Sequence, residues 1–377
     1  MSSKNQLIRP RAVLSRREFL KMAALSLGGL SFRYYGDRLA LPEFPKAERL
    51  GRVAVGKVEL KMKPDTDSPT LGVLYEDAVV PWLKEAAGAR TAAIFNNQRW
   101  VETPDGYIYG PYLQPVYNRP NKPVETLPPS SRDPGMWVEV TVPYAEATLD
   151  KAEPSSNSWV EAKLKQGLPI RVYYSQTFWV DQIKTDDGGQ KFYRLNPNYY
   201  GGVDMLWVVA EAFRPITLDD LTPISPDVTD KKIVVDVVHQ LLSCYEGADE
   251  VYFARVSTGA KYDMYGNPVD NWATPVGKHR VERKYISLQM SGGTTGAGYD
   301  LPGIAWTSVF STGGVSIHST FWHNNYGDPV SHGCVNCTPE DAQWLFRWSM
   351  PEVSYDPGML DVTVSGQPST SVEVVEG

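Results

Sequence analysis

The run Val315-Ser316-Ile317-His318-Ser319-Thr320, followed after a loop by Ser331-His332-Gly333-Cys334-Val335-Asn336-Cys337-Thr338-Pro339-Glu340-Asp341, carries the decisive pattern of this 377-residue chain. Val315 to His318 reads as an apolar strand that ends on an imidazole. Thr338 has the character of a helix N-cap, with proline at the first helical position and two acids in the first turn. Ala342, Leu345 and Phe346 then repeat at helical spacing. A cysteine ahead of a helix N-terminus is expected to feel the positive pole, which favours its thiolate. Gly333 is expected to leave room for a reactant to approach the backbone.

A thiol is mostly protonated at neutral pH, and a neighbouring base turns it into a nucleophile for acyl transfer. Two histidines qualify by position: His332, two residues before Cys334, and His318 at the end of the strand. Backbone N–H groups around Gly333 and Cys334 are the expected donors to the oxyanion formed on attack. Two other readings use the same residues. Cys334 and Cys337 have the spacing of a redox pair, although that motif belongs to an α/β context with helical crossovers. His318, His323, Cys334 and Cys337 are also zinc ligands by residue type.

Upstream, Lys232 to His239, Val251 to Ser257, Arg280 to Arg283 and Ala305 to Phe310 read as strands around a Gly-, Asn- and Pro-rich loop from Gly259 to Gly277. This gives a carboxy-terminal domain over residues 231–366, all β with one clear helix, and a tail at 367–377. Residues 135–217 form a second small β-rich unit, with alternation in Trp137-Val138-Glu139-Val140 and Ile170-Arg171-Val172-Tyr173 and a hairpin turn at Asp187-Gly188-Gly189. Residues 41–52 and 118–134 read as linkers. Between them, Val58-Glu59-Leu60, Gly72-Val73-Leu74, Arg99-Trp100-Val101 and Gly106-Tyr107-Ile108-Tyr109 are short strands. Residues 50–118 resemble a bacterial SH3-like barrel, for which wall-peptide binding and a rigid spacer are the two readings.

Residues 1–40 differ in kind. Ser15-Arg16-Arg17-Glu18-Phe19-Leu20-Lys21 and the short apolar run from Met22 to Leu30 resemble a twin-arginine export signal. The run is too short for an ordinary transmembrane helix, so membrane association is expected only through an uncleaved signal. The segment carries a net charge of +6 within a chain of −7, which leaves −13 on the remainder. That acidic balance excludes a nucleic-acid partner on electrostatic grounds. Three cysteines in an exported chain leave at least one free thiol, and Cys244 reads as a small buried hydrophobe.

Ile317-His318-Ser319-Thr320, followed by Gly327-Asp328-Pro329-Val330-Ser331-His332-Gly333-Cys334-Val335-Asn336, resembles the signature of the L,D-transpeptidase (YkuD-type) catalytic domain. Val256-Ser257-Thr258-Gly259 and Thr274-Pro275-Val276-Gly277 match two further landmarks of that family. The resemblance implies a mainly β fold: a YkuD-like β-sandwich or barrel with one principal helix after the nucleophile. It implies Cys334 as nucleophile, His318 as general base and acid with the carbonyl of Ser319 orienting its ring, and His332 and Gly333 on the oxyanion side. Ser331, Asn336 and Thr320 are implied substrate contacts. No metal or organic cofactor is implied; the implied partners are peptidoglycan stem peptides as donor and acceptor. The implied reaction forms 3→3 cross-links through a cysteine thioester, in the cell wall, the periplasm or outside the cytoplasmic membrane. L,D-carboxypeptidase action and a non-catalytic wall-binding protein are the alternatives. Three features depart from the family pattern. Only twelve residues separate His318 from Ser331, Asn336 stands where many members have Arg, and Cys337 replaces an apolar residue.

Overall fold

The computed structural model describes residues 39–89, 96–131, 133–156, 158–196, 204–262, 267–269, 272–292 and 299–377. The expected export signal lies outside them, apart from its last two residues. The fold is mainly β, as expected. Most of its strands are short because apolar and polar residues alternate over four to eight positions between Gly, Pro and Asp turns. Among the described residues no helix is long and apolar enough to cross a membrane.

Residues 50–116 form two small sheets. Leu50–Val53 sits between Val79–Pro81 and Leu113–Val116, and the other sheet runs in the order Thr70–Tyr75, Lys57–Lys61, Gly106–Tyr109, Arg99–Thr103, Lys84–Ala87. Val53, Val58, Trp82, Val101, Ile108 and Leu113 make its core. Residues 136–215 form one seven-stranded antiparallel sheet. That unit includes the helix Trp159–Lys165, which sequence reasoning missed. Its signal is nonetheless present: Ser158 caps the N–H of Glu161, the spacing of a capping box.

The two expected linkers are packed chain. Leu39, Leu41 and Phe44 on one side, and Val124 and Leu127 on the other, lie against the core of the seven-stranded sheet. Apolar side chains at these spacings bury themselves where a solvated linker would leave them in water. Trp137 and Trp179 of that sheet, with Ile216 just after its last strand, belong to the hydrophobic core of the carboxy-terminal domain, so those two units share one interior.

The carboxy-terminal domain packs two five-stranded sheets. One runs Asp249–Arg255, Leu241–Glu246, Lys231–Asp236, Ser371–Val375, Gly277–Arg280. The other runs Val335–Cys337, Ser316–Ser319, Tyr299–Val309, Arg283–Gly292, Met359–Asp361. The helix Pro339–Trp348 buries Ala342, Leu345, Phe346 and Trp348 against them. A third helix, Val362–Ser365, is a single turn. The expected tail is corrected: Ser371–Val375 lies inside the first sheet, parallel to Lys231–Asp236 and antiparallel to Gly277–Arg280. Its alternating Val372 and Val374 are each 1% exposed, which is what a central strand requires.

Candidate active site

Two short parallel strands build the site. Ile317 pairs with Val335, His318 with Asn336 and Ser319 with Cys337. Successive side chains of a strand point to opposite faces. Ile317, Val335 and Cys337 enter the hydrophobic core. Ser316, His318, Cys334 and Asn336 share the other face. Extending the register by one pair sets Ser316 opposite Cys334, and its Oγ lies 3.5 Å from Cys334 Sγ.

The imidazole of His318 is 1% exposed, and its Nδ1 is 2.7 Å from the carbonyl oxygen of its neighbour Ser319. A carbonyl only accepts, so the ring proton sits on Nδ1 and the unprotonated Nε2 is left for Cys334. Burial raises the pKa of the Cys334 thiol. The hydrogen bond and charge of His318, with the hydroxyl and backbone N–H of Ser316, outweigh that burial and bring it below the ordinary thiol value. The thiol is therefore flanked by one group that takes its proton and a second that supports its anion.

The helix plays no part in this, contrary to expectation. Val335–Cys337 and Thr338 intervene in extended conformation, which sets the helix start roughly 13 Å along the chain from Cys334. The influence of a helix pole fades within about one turn. Cys337 is nearer to it, yet its thiol is pushed well above the usual value by burial, then by Asp341 and Cys244.

The turn Ser331–Cys334 is closed by two hydroxyls. Ser331 Oγ donates to the carbonyl of Cys334 (2.5 Å) and accepts from the N–H of Gly333 (3.1 Å). Thr274 Oγ1 donates to the carbonyl of Gly333 (2.8 Å) and accepts from the N–H of Gly259 (2.8 Å). Because a trans peptide holds C=O and N–H antiparallel, the bond from Thr274 aims the N–H of Cys334 the opposite way. The expected pair of oxyanion donors is corrected accordingly: the N–H of Gly333 is occupied within the turn, and that of Cys334 is the one aimed by the frame. Gly333 itself is required by its φ of +119° rather than by crowding, since a Cβ there would meet nothing closer than 3.6 Å.

His332 is exposed and its ring lies 3.9 Å from that of Trp272. The expected substrate contacts Ser331, Asn336 and Thr320 are 7%, 1% and 1% exposed. Asn336 faces His323, whose Nε2 is 2.8 Å from the side-chain amide, while His323 Nδ1 accepts from the N–H of Asn325 (3.0 Å). A ring that accepts at Nδ1 carries its proton on Nε2, so the amide of Asn336 must offer its oxygen there. Burial, and then the charge of His318, lower the His323 pKa to about 3 and hold this neutral tautomer.

Sequence reasoning missed Ser316, Trp272 and the hydroxyl of Thr274 as parts of the site, and named His323 only as a zinc ligand by residue type. Ser316 was available from the period-2 rule, two residues before His318. The contacts of Thr274 reach Gly259 and Gly333, and that of His323 to Asn336 crosses the loop, so they leave no local mark.

Residues 230–374 match the family described as YkuD, the L,D-transpeptidase catalytic domain. The chain is 31% identical over 88 residues to L,D-transpeptidase 2 of Mycobacterium tuberculosis, covering 20% of this chain and 21% of that protein. The match thus spans about a fifth of the curated relative's length. Among solved structures, an L,D-transpeptidase from Mycobacterium smegmatis aligns at 18% identity with a TM-score of 0.30, over 62% of this chain and 89% of that one. The catalytic domain of the Enterococcus faecium L,D-transpeptidase aligns at 21% identity with a TM-score of 0.28, over 39% and 98%. The carboxy-terminal region is a YkuD-type L,D-transpeptidase catalytic domain.

Proposed function

We propose that this chain is an exported L,D-transpeptidase that forms 3→3 cross-links in peptidoglycan. The observation that carries the reading is the placement of the Cys334 thiol against Ser316 and against a His318 ring whose tautomer is set by the Ser319 carbonyl. The Cys334 sulfur attacks the carbonyl carbon of the third residue of a tetrapeptide stem as its proton passes to His318 Nε2. The oxyanion is met by the N–H of Cys334. Collapse breaks the amide bond, His318 returns the proton to the departing D-alanine amine, and a thioester remains. The side-chain amine of a neighbouring stem then attacks the thioester, His318 takes its proton, and the thiol is regenerated as the cross-link forms.

His332 and Trp272 form the wall beside the nucleophile, and we assign Ser331, Thr320 and Asn336 to the frame that holds it. The reaction needs no metal or organic cofactor, since each proton and each charge has a partner among these groups. The amino-terminal segment serves twin-arginine export, and residues 50–118 are an SH3-like module.

Incubation with a carbapenem, followed by intact-mass measurement, tests the nucleophile: one adduct is expected on the wild type and none on Cys334→Ala. Muropeptide analysis tests the acceptor, with cross-linked dimers expected. Tripeptides alone would reassign the enzyme as an L,D-carboxypeptidase, and an unreacted wild type in both assays would overturn catalysis altogether.

A further inference from the structure

We propose that the amino-terminal β unit is a working part of the active-site frame, with Arg52 as a positioning residue that acts on His318 through the loop at residues 320–328. The proposal rests on Cys334 and His318 being the reactive pair.

The loop leaves the strand directly after His318 and Ser319 and returns to Ser331. It is held largely from outside the carboxy-terminal domain. Arg52 Nη2 donates to the carbonyl of Phe321 (2.6 Å), and Arg99 Nη2 to the carbonyl of Asn324 (2.7 Å). The N–H of Asn324 donates to the carbonyl of Pro111 (3.0 Å). The N–H groups of Asn96 and Asn97 donate to the two carboxylate oxygens of Asp328 (2.6 and 3.2 Å). The loop is thus fixed at its start, middle and end by residues of the amino-terminal unit.

Arg52 is the most constrained of these groups. It is 2% exposed, and every edge of its guanidinium is used. Nε donates to Gln114 Oε1 (2.9 Å), Nη1 to Asp77 Oδ1 (2.7 Å), and its face lies 4.2 Å from the ring of Tyr173. The second oxygen of Asp77 accepts from Arg171 of the seven-stranded sheet (2.7 Å). A desolvated guanidinium bonded in this way cannot shift without leaving a buried charge unpaired. This differs from the exposed, polar contact expected between a spacer and its neighbour.

The path to the reacting atoms is short. The ring of Phe321 stacks on Tyr173 at 5.6 Å, Trp322 meets Phe321 edge-on at 5.1 Å, and Trp322 lies 5.8 Å from the ring of His318. The carbonyl of Ser319, which sets the His318 tautomer, is only two residues before the carbonyl that Arg52 holds. Releasing Phe321 loosens both supports of the imidazole and weakens its hold on the thiolate.

The test is the pH dependence of Cys334 alkylation by iodoacetamide, followed by mass on the full chain. The comparison is wild type with Arg52→Met, Arg52→Lys and Ile108→Ala. Ile108 lies in the core of the amino-terminal unit and makes none of the hydrogen bonds to the loop named above, so its truncation reports loss of stability. Arg52→Met should move the alkylation midpoint up by about one unit, a roughly tenfold slower reaction at neutral pH. Arg52→Lys should recover part of the shift, since an ammonium cannot serve three acceptors in a plane. Ile108→Ala should lower the melting temperature and leave the midpoint in place. A wild-type profile in Arg52→Met, or an equal shift in Ile108→Ala, overturns the proposal. If Arg52→Met does not fold, Arg99→Met is read against the same outcomes. Because iodoacetamide requires no stem peptide, a failure of the transpeptidase reading would leave this result interpretable.

Discussion

The Ser316 hydroxyl lies opposite Cys334 across two parallel strands, fully buried and 3.5 Å from its sulfur. Among the described residues that hydroxyl has no other hydrogen-bond partner, so its proton is directed at the sulfur. A donor to the charged form lowers a pKa, and removing it raises the pKa. Ser316→Ala should therefore move the alkylation midpoint of Cys334 upward by about half a unit to one unit, with little change in melting temperature. A midpoint at the wild-type value would leave His318 and the backbone N–H of Ser316 as the supports of the thiolate.

His318 supplies both a hydrogen bond and a charge to the same thiol. His318→Ala removes these and leaves burial, which raises the pKa and is the largest effect on it, opposed only by the Ser316 donors. The thiolate, present above its depressed pKa in the wild type, should then appear only at more alkaline pH. Acylation by a carbapenem should fall by about 10²- to 10⁴-fold, the usual contribution of a positioned general base. Stopped-flow measurement of adduct formation across pH checks both parts. Acylation within tenfold of wild type would shift the role of base to His332, whose ring is turned to Trp272.

What the sequence made legible follows from how local each signal is. The strand at Ser316–Ser319, the cap at Thr338 and the helix after it depend on neighbours within four residues, and the structure has them where the pattern placed them. The strand Val335–Cys337 is three residues long and has too few alternations to register as a period. Missing it produced the wrong helix-pole argument for Cys334. Ser371–Val375 does alternate, but its position at the end of the chain disguised a strand whose partners lie more than ninety residues away. The anchoring of the active-site loop by Arg52, Arg99 and Asn96 spans over two hundred residues, and no spacing rule reports a contact of that range.

Cys334 and Cys337 have the spacing of a redox pair, and a disulfide between them would block the nucleophile. The strand between them turns their side chains to opposite faces, and all three cysteines are free. A bridge needs Cβ atoms that face each other at about 4 Å, so forming one would require the strand to unpair. Titration with a thiol reagent should show one fast-reacting group in the native protein and three after denaturation. A native protein that loses activity under mild oxidation with a two-hydrogen mass loss between these cysteines would contradict this.

Lys284 makes a stability prediction of its own. Its side chain is fully buried, and Nζ donates to the carbonyls of Phe346, Ser349 and Pro351 at 2.6, 2.7 and 2.8 Å, tying off the end of the helix Pro339–Trp348. Lys284→Ala leaves these acceptors dry and opens a cavity, and should cost about 3 kcal/mol or more. Burial lowers the ammonium pKa to about 7, against roughly 10.4 in an unfolded chain. Between those values the unfolded state binds the extra proton, so rising pH favours the folded state through this group. Lys284→Met removes the titration. The stability difference between wild type and Lys284→Met should thus move in favour of the wild type as pH rises from 7 toward 10, by up to about 1.4 kcal/mol per unit. Urea unfolding at several pH values measures it, and a difference independent of pH would mean that Lys284 keeps its proton in the folded protein throughout.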